Sequence, residues 1–171
     1  MNAVTTVNVE AVHAAVRSVP DPELPPVTIG MLGMIHDVSI DGHDVVVTLL
    51  PTFAGCPATE MIERDVRGAV GAVPGVEHIR VRFVYDPPWS SDRISAEGHD
   101  RLREFGIAPP VGTIHDVPDA VRRLPIAAPP TPCPYCGSTD TAKESGFGPT
   151  PCRAIHYCDA CRQPFEAFKQ L

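Results

Sequence analysis

The chain is predicted to form a small two-layer α/β domain with a mixed sheet, followed by a separate C-terminal unit organised by cysteines. Three observations carry this. Apolar residues between positions 9 and 85 follow a helix–strand–strand–helix–strand rhythm. Two CxxC pairs, Cys133-Pro-Tyr-Cys136 and Cys158-Asp-Ala-Cys161, lie near the C-terminus. Between the two regions, eight prolines fall from Pro109 to Pro134.

The elements follow in order. Asn8 is suited to cap a helix over Val9–Val19, with Val9, Val12, Val16 and Val19 on one stripe. The turn-rich PDPELPP comes next. Met34–Ile40 and Val45–Leu50 read as two strands joined at Asp41-Gly42, a hairpin signal that His43 and Asp44 lengthen. Ala58, Met61, Ile62, Val66, Ala69, Val70 and Val73 recur at helical spacing, and Pro74-Gly75 ends that helix. Ile79–Tyr85 alternates as a strand, with Val81, Phe83 and Tyr85 on one side and Arg80 and Arg82 on the other. A strand–helix–strand crossover makes this last strand parallel to a neighbour, whereas the hairpin is antiparallel, so the sheet is mixed. A further helix over Ser95–Phe105, capped by Ser95, closes the domain.

Residues 1–108 therefore form the α/β domain, 109–130 a Pro-rich connector and 131–171 the cysteine unit. The connector reads as extended and semi-rigid, with one short helical turn near Asp119–Leu124. In the tail, four thiolates on two tight turns can close a tetrahedral shell, and their spacing is that of a zinc ribbon. Gly137 follows the first pair where the chain must turn under a metal, and Tyr157, Phe165 and Phe168 border the second. Cys133, Cys136, Cys158 and Cys161 are the expected ligands of one structural zinc. Cys152 and His156 lie between the pairs, and either is able to replace a main ligand. Cys152 is a spare soft donor that packs against the ribbon or signals an iron–sulfur cluster instead of zinc. A disulfide framework is the bland alternative. No apolar leader is visible, so a cytoplasmic setting with reduced thiols is expected.

Composition narrows the function classes. The balance of 14 basic against 21 acidic residues gives a net charge of −7, which argues against nucleic-acid binding. The tail itself balances Lys143, Arg153, Arg162 and Lys169 against Asp140, Glu144, Asp159 and Glu166. No run approaches the roughly 18 apolar residues of a membrane span. There is no GxSxG, phosphate loop, HExxH or Rossmann fingerprint.

Cys56 stands apart from the tail, in Thr52-Phe-Ala-Gly-Cys-Pro-Ala-Thr-Glu60 between the second strand and second helix. Pro57 suits a first helical position, making Cys56 the expected N-cap. There the helix end would favour thiolate and lower its pKa below the free value of about 8.5. The other reading is an inert cysteine filling a loop. Asp21-Pro22-Glu23 is the second candidate: two carboxylates fixed by prolines are suited to holding or orienting a metal. On the residues alone the segment reads first as a helix-terminating turn with solvated acids, and nothing brings it to Cys56. Trp89 is expected to be a packing anchor. His36 and His78 are available as bases for a Cys56 nucleophile, but no motif positions either.

Asp21-Pro22-Glu23, the hairpin and Thr52…Gly55-Cys56-Pro57 together resemble the iron–sulfur cluster assembly domain family that includes SufT-like proteins. Asp86-Pro-Pro-Trp-Ser90, Leu102-Arg-Glu-Phe-Gly-Ile-Ala-Pro-Pro110 and the four-cysteine tail narrow the resemblance to the PaaD family of phenylacetate-degradation accessory proteins. The resemblance implies an accessory factor without catalysis of its own. It would serve the ring-1,2-phenylacetyl-CoA epoxidase system of aerobic phenylacetate catabolism, assisting iron–sulfur cluster or iron assembly in the reductase or oxygenase. Its partners would be those components or iron–sulfur assembly proteins, and homo-oligomers stay open. Cys56 would be the transfer thiolate, with Asp21 and Glu23 as nearby acids. The four tail cysteines would hold the ribbon metal. Cys152 also belongs to the pattern, which keeps a transient or C-terminal cluster open. A stable non-catalytic subunit of the epoxidase is the alternative.

Overall fold

A computed structural model describes residues 6–112 and 130–170. They divide into two compact units, with the boundary between Trp89 and Ser90.

In the first unit, α1 (Val9–Arg17) starts where the Asn8 Oδ1 accepts from the Ala11 N–H at 3.1 Å. It is shorter than predicted, ending at Arg17 with Ser18 as its C-cap. Val12 and Val16 are buried, whereas Val9 is 52% exposed and off the stripe. PDPELPP is more than a turn: β1 (Pro20–Asp21) and β2 (Leu24–Thr28) pair antiparallel around Pro22 and Glu23. At Gly30 an added Cβ would lie 2.7 Å from the Arg17 carbonyl oxygen, so this close approach to the end of α1 admits only glycine.

The main sheet has the order β3-β4-β5, from β3 (Ile35–Asp41), β4 (Asp44–Leu49) and β5 (His78–Phe83). β3 and β4 are antiparallel, and β4 and β5 are parallel through the crossover helix α2 (Thr59–Gly71), as the sequence predicts. The α2 side chains Ile62, Val66 and Val70 are buried as α2 packs on β5 and against α1. Each contributes about 1.5–3 kcal/mol of burial free energy. Met61 and Tyr85, expected on apolar faces, are exposed, and β5 ends before Tyr85. Trp89 is buried and donates its Nε1–H to the Leu32 carbonyl at 2.8 Å, the anchor role expected of it.

The second unit begins with a short 3-10 turn (Ser91–Arg93) and α3 (Ala96–Glu104), whose Ser95 cap accepts from the Gly98 N–H. Next, β6 (Ile107–Ala108) joins the sheet of the cysteine unit, in the order β6-β9-β8-β7. The other strands are β7 (Thr141–Ser145), β8 (Arg153–Cys158) and β9 (Gln163–Phe168), antiparallel to one another, with β6 parallel to β9. The expected boundary at 108/109 thus differs from the division after Trp89. Two buried residues, Ile107 and Ala108, supply the edge strand, and a two-residue strand has too little alternation to be visible in sequence. The helical turn expected near Asp119–Leu124 lies outside the described residues. Among the described residues no helix is long and apolar enough to cross a membrane.

Candidate functional site

The tail cysteines converge. The sulfurs of Cys133, Cys136, Cys158 and Cys161 all lie within 4.8 Å of one another, with Cys133 and Cys161 at 3.7 Å and Cys136 and Cys158 at 3.6 Å. Four thiolates about 2.3 Å from one tetrahedral ion stand about 3.8 Å apart, so the donor set already has the size of a single-ion shell. An iron–sulfur cluster distributes its cysteines over several irons and spreads them further.

Both knuckles are built by the same backbone device. In the first, the Gly137 N–H donates to the Cys133 carbonyl at 2.9 Å. In the second, the Arg162 N–H donates to the Cys158 carbonyl at 2.8 Å. Both donors are left-handed, Gly137 at φ 74° and Arg162 at φ 56°. Sequence reading found Gly137 but missed Arg162, whose only signal was its equivalent place after a CxxC pair. Cys133 and Cys158 are buried with Ala108, Phe165 and Ala167 in a small apolar core, while Cys136 is exposed.

The thiols cannot all ionise together without a cation. The Cys161 N–H, donating to the Cys158 sulfur, is the largest influence pulling that thiol down, to about 7. Burial, then the neighbouring sulfurs, push Cys161 up to about 12. A divalent ion at the centre removes this conflict, so the donor set fits one.

Cys152 is buried elsewhere in the ribbon. It immediately precedes β8, at the end opposite Cys158, about 20 Å away at 3.3 Å per strand residue. Its sulfur lies 3.2 Å from the Thr150 hydroxyl. Neither Cys152 nor His156 joins the four-sulfur group; the ring of His156 packs on Phe165 instead.

Cys56 lies on the loop between β4 and α2. Its N–H donates to the Phe53 carbonyl at 3.1 Å, and its own carbonyl accepts from the Thr59 hydroxyl at 3.0 Å. Gly55, at φ 82°, supplies the left-handed turn before it. The helix starts at Thr59 with Ala58 as N-cap, later than the expected Cys56 cap. The Cys56 sulfur nevertheless accepts from the Ala58 N–H, as a capping atom does.

The expected low thiol pKa is corrected. Desolvation of the half-buried sulfur raises it, the Ala58 N–H opposes this, and the carboxylates of Glu23 and then Asp21 raise it further. The acids that the sequence could not bring to Cys56 are therefore close enough to act on it. Asp21 is also not a solvated acid: it is 7% exposed, and its Oδ1 accepts from the N–H groups of Glu23 at 2.8 Å and Leu24 at 3.0 Å. This turn holds the segment that carries Glu23. Cys56, Asp21 and Glu23 do not form a closed cage; among the described residues, only the four tail cysteines gather tightly enough to surround one ion.

Comparison with known proteins matches this division. Residues 9–82 match an iron–sulfur cluster assembly protein family, and residues 118–169 match the PaaD zinc beta ribbon domain. The chain is 39% identical to an Escherichia coli (strain K12) protein named for the 1,2-phenylacetyl-CoA epoxidase, as one of its subunits, over 94% of this chain and 92% of the relative. It is also 39% identical to an Fe-S protein maturation auxiliary factor of Porphyromonas gingivalis, over 52% of this chain and 84% of the relative. A crystal structure of a domain of unknown function, DUF59, from Bacillus anthracis superposes with a TM-score of 0.51 at 37% identity, covering 54% of this chain and 89% of that one. With an assembly domain, a four-cysteine ribbon and the Escherichia coli relative spanning nearly its whole length, the chain belongs to the PaaD family.

Proposed function

We propose that the chain is a maturation factor for the phenylacetyl-CoA epoxidase system, helping to assemble or insert an iron–sulfur cluster, or iron, in the reductase or oxygenase. The observation that carries this is the half-buried Cys56 thiol on the β4–α2 loop, raised first by desolvation and then by the Glu23 and Asp21 carboxylates. A single sulfur beside two carboxylates, without a closed cage, is suited to cargo that must be released. Cargo binding displaces the thiol proton. When cargo leaves, the neighbouring negative charges favour return of that proton over a bare thiolate, which aids release.

In this reading Cys133, Cys136, Cys158 and Cys161 hold one zinc, which fixes the two knuckles. The ribbon's apolar core is small, and structural zinc typically supplies roughly 10–16 kcal/mol of apparent binding free energy to such a tail.

The test is iron and cluster loading of reductase and oxygenase with wild-type protein and Cys56→Ala. The expected result is unchanged folding and zinc content with a loss of client loading. Normal loading by the variant overturns the role of Cys56. The name of the Escherichia coli relative favours a second reading, a stable component of the epoxidase. Stoichiometric copurification with a fully loaded complex would favour that reading, whereas a maturation factor copurifies substoichiometrically.

A further inference from the structure

The ribbon sheet carries a cavity that the metal knuckles do not use. It has a volume of about 390 Å³, within the range of small-ligand sites. Its floor follows from strand register. Ala154 on β8 is paired directly with Ala167 on β9, and both line the cavity. Strands usually carry branched or aromatic side chains at such positions; two alanines side by side remove that bulk and leave a trough.

The same sheet face continues to Lys143, which pairs with His156 on β8. Two residues beyond Ala167 is Lys169, and Gln170 adds an amide at that end. Among the described residues, two lysines, Lys143 and Lys169, line the cavity and no acidic residue does. The nearest acid on β9, Glu166, is already held by the Arg153 guanidinium at 2.6 Å. Lys169 donates to the Pro151 carbonyl at 2.6 Å and lies 5.9 Å from the Phe147 ring centre, contacts that hold its side chain in place. The Pro109–Val111 segment supplies an apolar wall.

We propose that this trough binds a small organic acid: a carboxylate between Lys143 and Lys169, with a compact apolar body over the alanine pair. The chemistry is that of an anionic head on an apolar stem, and the alanines set the size limit. This site is independent of the role given to Cys56.

The test is an amide NMR titration of the full metal-loaded chain with benzoate, and separately with inorganic phosphate. Benzoate is expected to give saturable shifts confined to Lys143, Ala154, His156 and residues 167–170. Lys143→Met should weaken its binding about tenfold, as expected for one charged hydrogen bond. Ala154→Leu should abolish it by filling the trough. Should that variant fail to fold, Lys143→Met still decides the matter. Equal shifts with phosphate and benzoate would overturn the role of the apolar floor. Absence of saturable shifts, or binding indifferent to Lys143→Met, would overturn the site.

Discussion

Asp21 offers the sharpest test of how the Cys56 region is built. Its Oδ1 accepts from both the Glu23 and Leu24 N–H groups, and Leu24 is 1% exposed. Asp21→Ala leaves both donors without this acceptor, and the buried one has no water to replace it. At about 1–3 kcal/mol for each buried unsatisfied group, with the Glu23 N–H partly rescued by solvent, the loss should be about 2–4 kcal/mol. Asp21→Asn keeps an oxygen at the same place and should lose only about 1 kcal/mol, the difference between charged and neutral acceptors. The assay is urea unfolding followed by Trp89 fluorescence. Trp89 is the chain's one tryptophan, it is buried, and it belongs to the unit that contains Asp21. With a slope of about 2 kcal/mol per molar urea, Asp21→Ala should lower the midpoint by about 1–2 M. An unchanged midpoint would refute the turn-holding role. An equal fall for Asp21→Asn would show that charge, not the acceptor, holds the turn.

Other predictions concern the thiols. In metal-free protein, burial and the Glu23 and Asp21 carboxylates hold the Cys56 thiol above its ordinary range, so iodoacetamide should alkylate it slowly at neutral pH and faster as pH rises. Removing negative charge lowers a thiol pKa, so Glu23→Gln should shift that pH–rate curve to lower pH; a shift upward would refute the coupling. Stripping metal with a strong chelator should release one equivalent and collapse the dispersed amide signals of β7–β9, whereas a ribbon that stays dispersed would show that its apolar core suffices. Cys152→Ser should retain that metal equivalent while Cys158→Ser loses it; equal loss would make Cys152 a ligand.

The parts of the fold that were legible in sequence are those with long periodic signals. The β3–β4 hairpin, the crossover helix and the parallel β5 each depend on several buried residues at regular spacing, and Val45, Val47, Ile62, Val66 and Val70 are buried. Short elements escaped. β1 and β6 have two residues each, and their pairing is decided by partners distant in sequence. The CxxC pairs were legible because metal geometry constrains local spacing. Cys152 showed the limit of that logic: six residues from Cys158 is near in sequence but a full strand away in space. The ionisation of Cys56 was misread because a helix end is a local signal, while desolvation and the acids of the β1–β2 turn arrive through tertiary structure.

The two cysteine sites are opposed in chemistry, and the opposition bears on the proposed role. At the ribbon, one thiol is drawn down to about 7 and its neighbour driven up to about 12. Four sulfurs in that space are frustrated until a cation arrives, so the filled state is favoured and the metal is retained. At Cys56 the neighbours are anions rather than further thiols. They attract a cation as well, but they also make the empty thiolate costly, so the empty state is the protonated thiol. Filling and emptying then differ by a proton that solvent can exchange, because the sulfur is only half-buried. A retained ion suits a structural knuckle, and proton-linked exchange suits a transfer site. If both sites exchanged metal at the same rate under the same chelator, this division of labour would fail even if both bound metal.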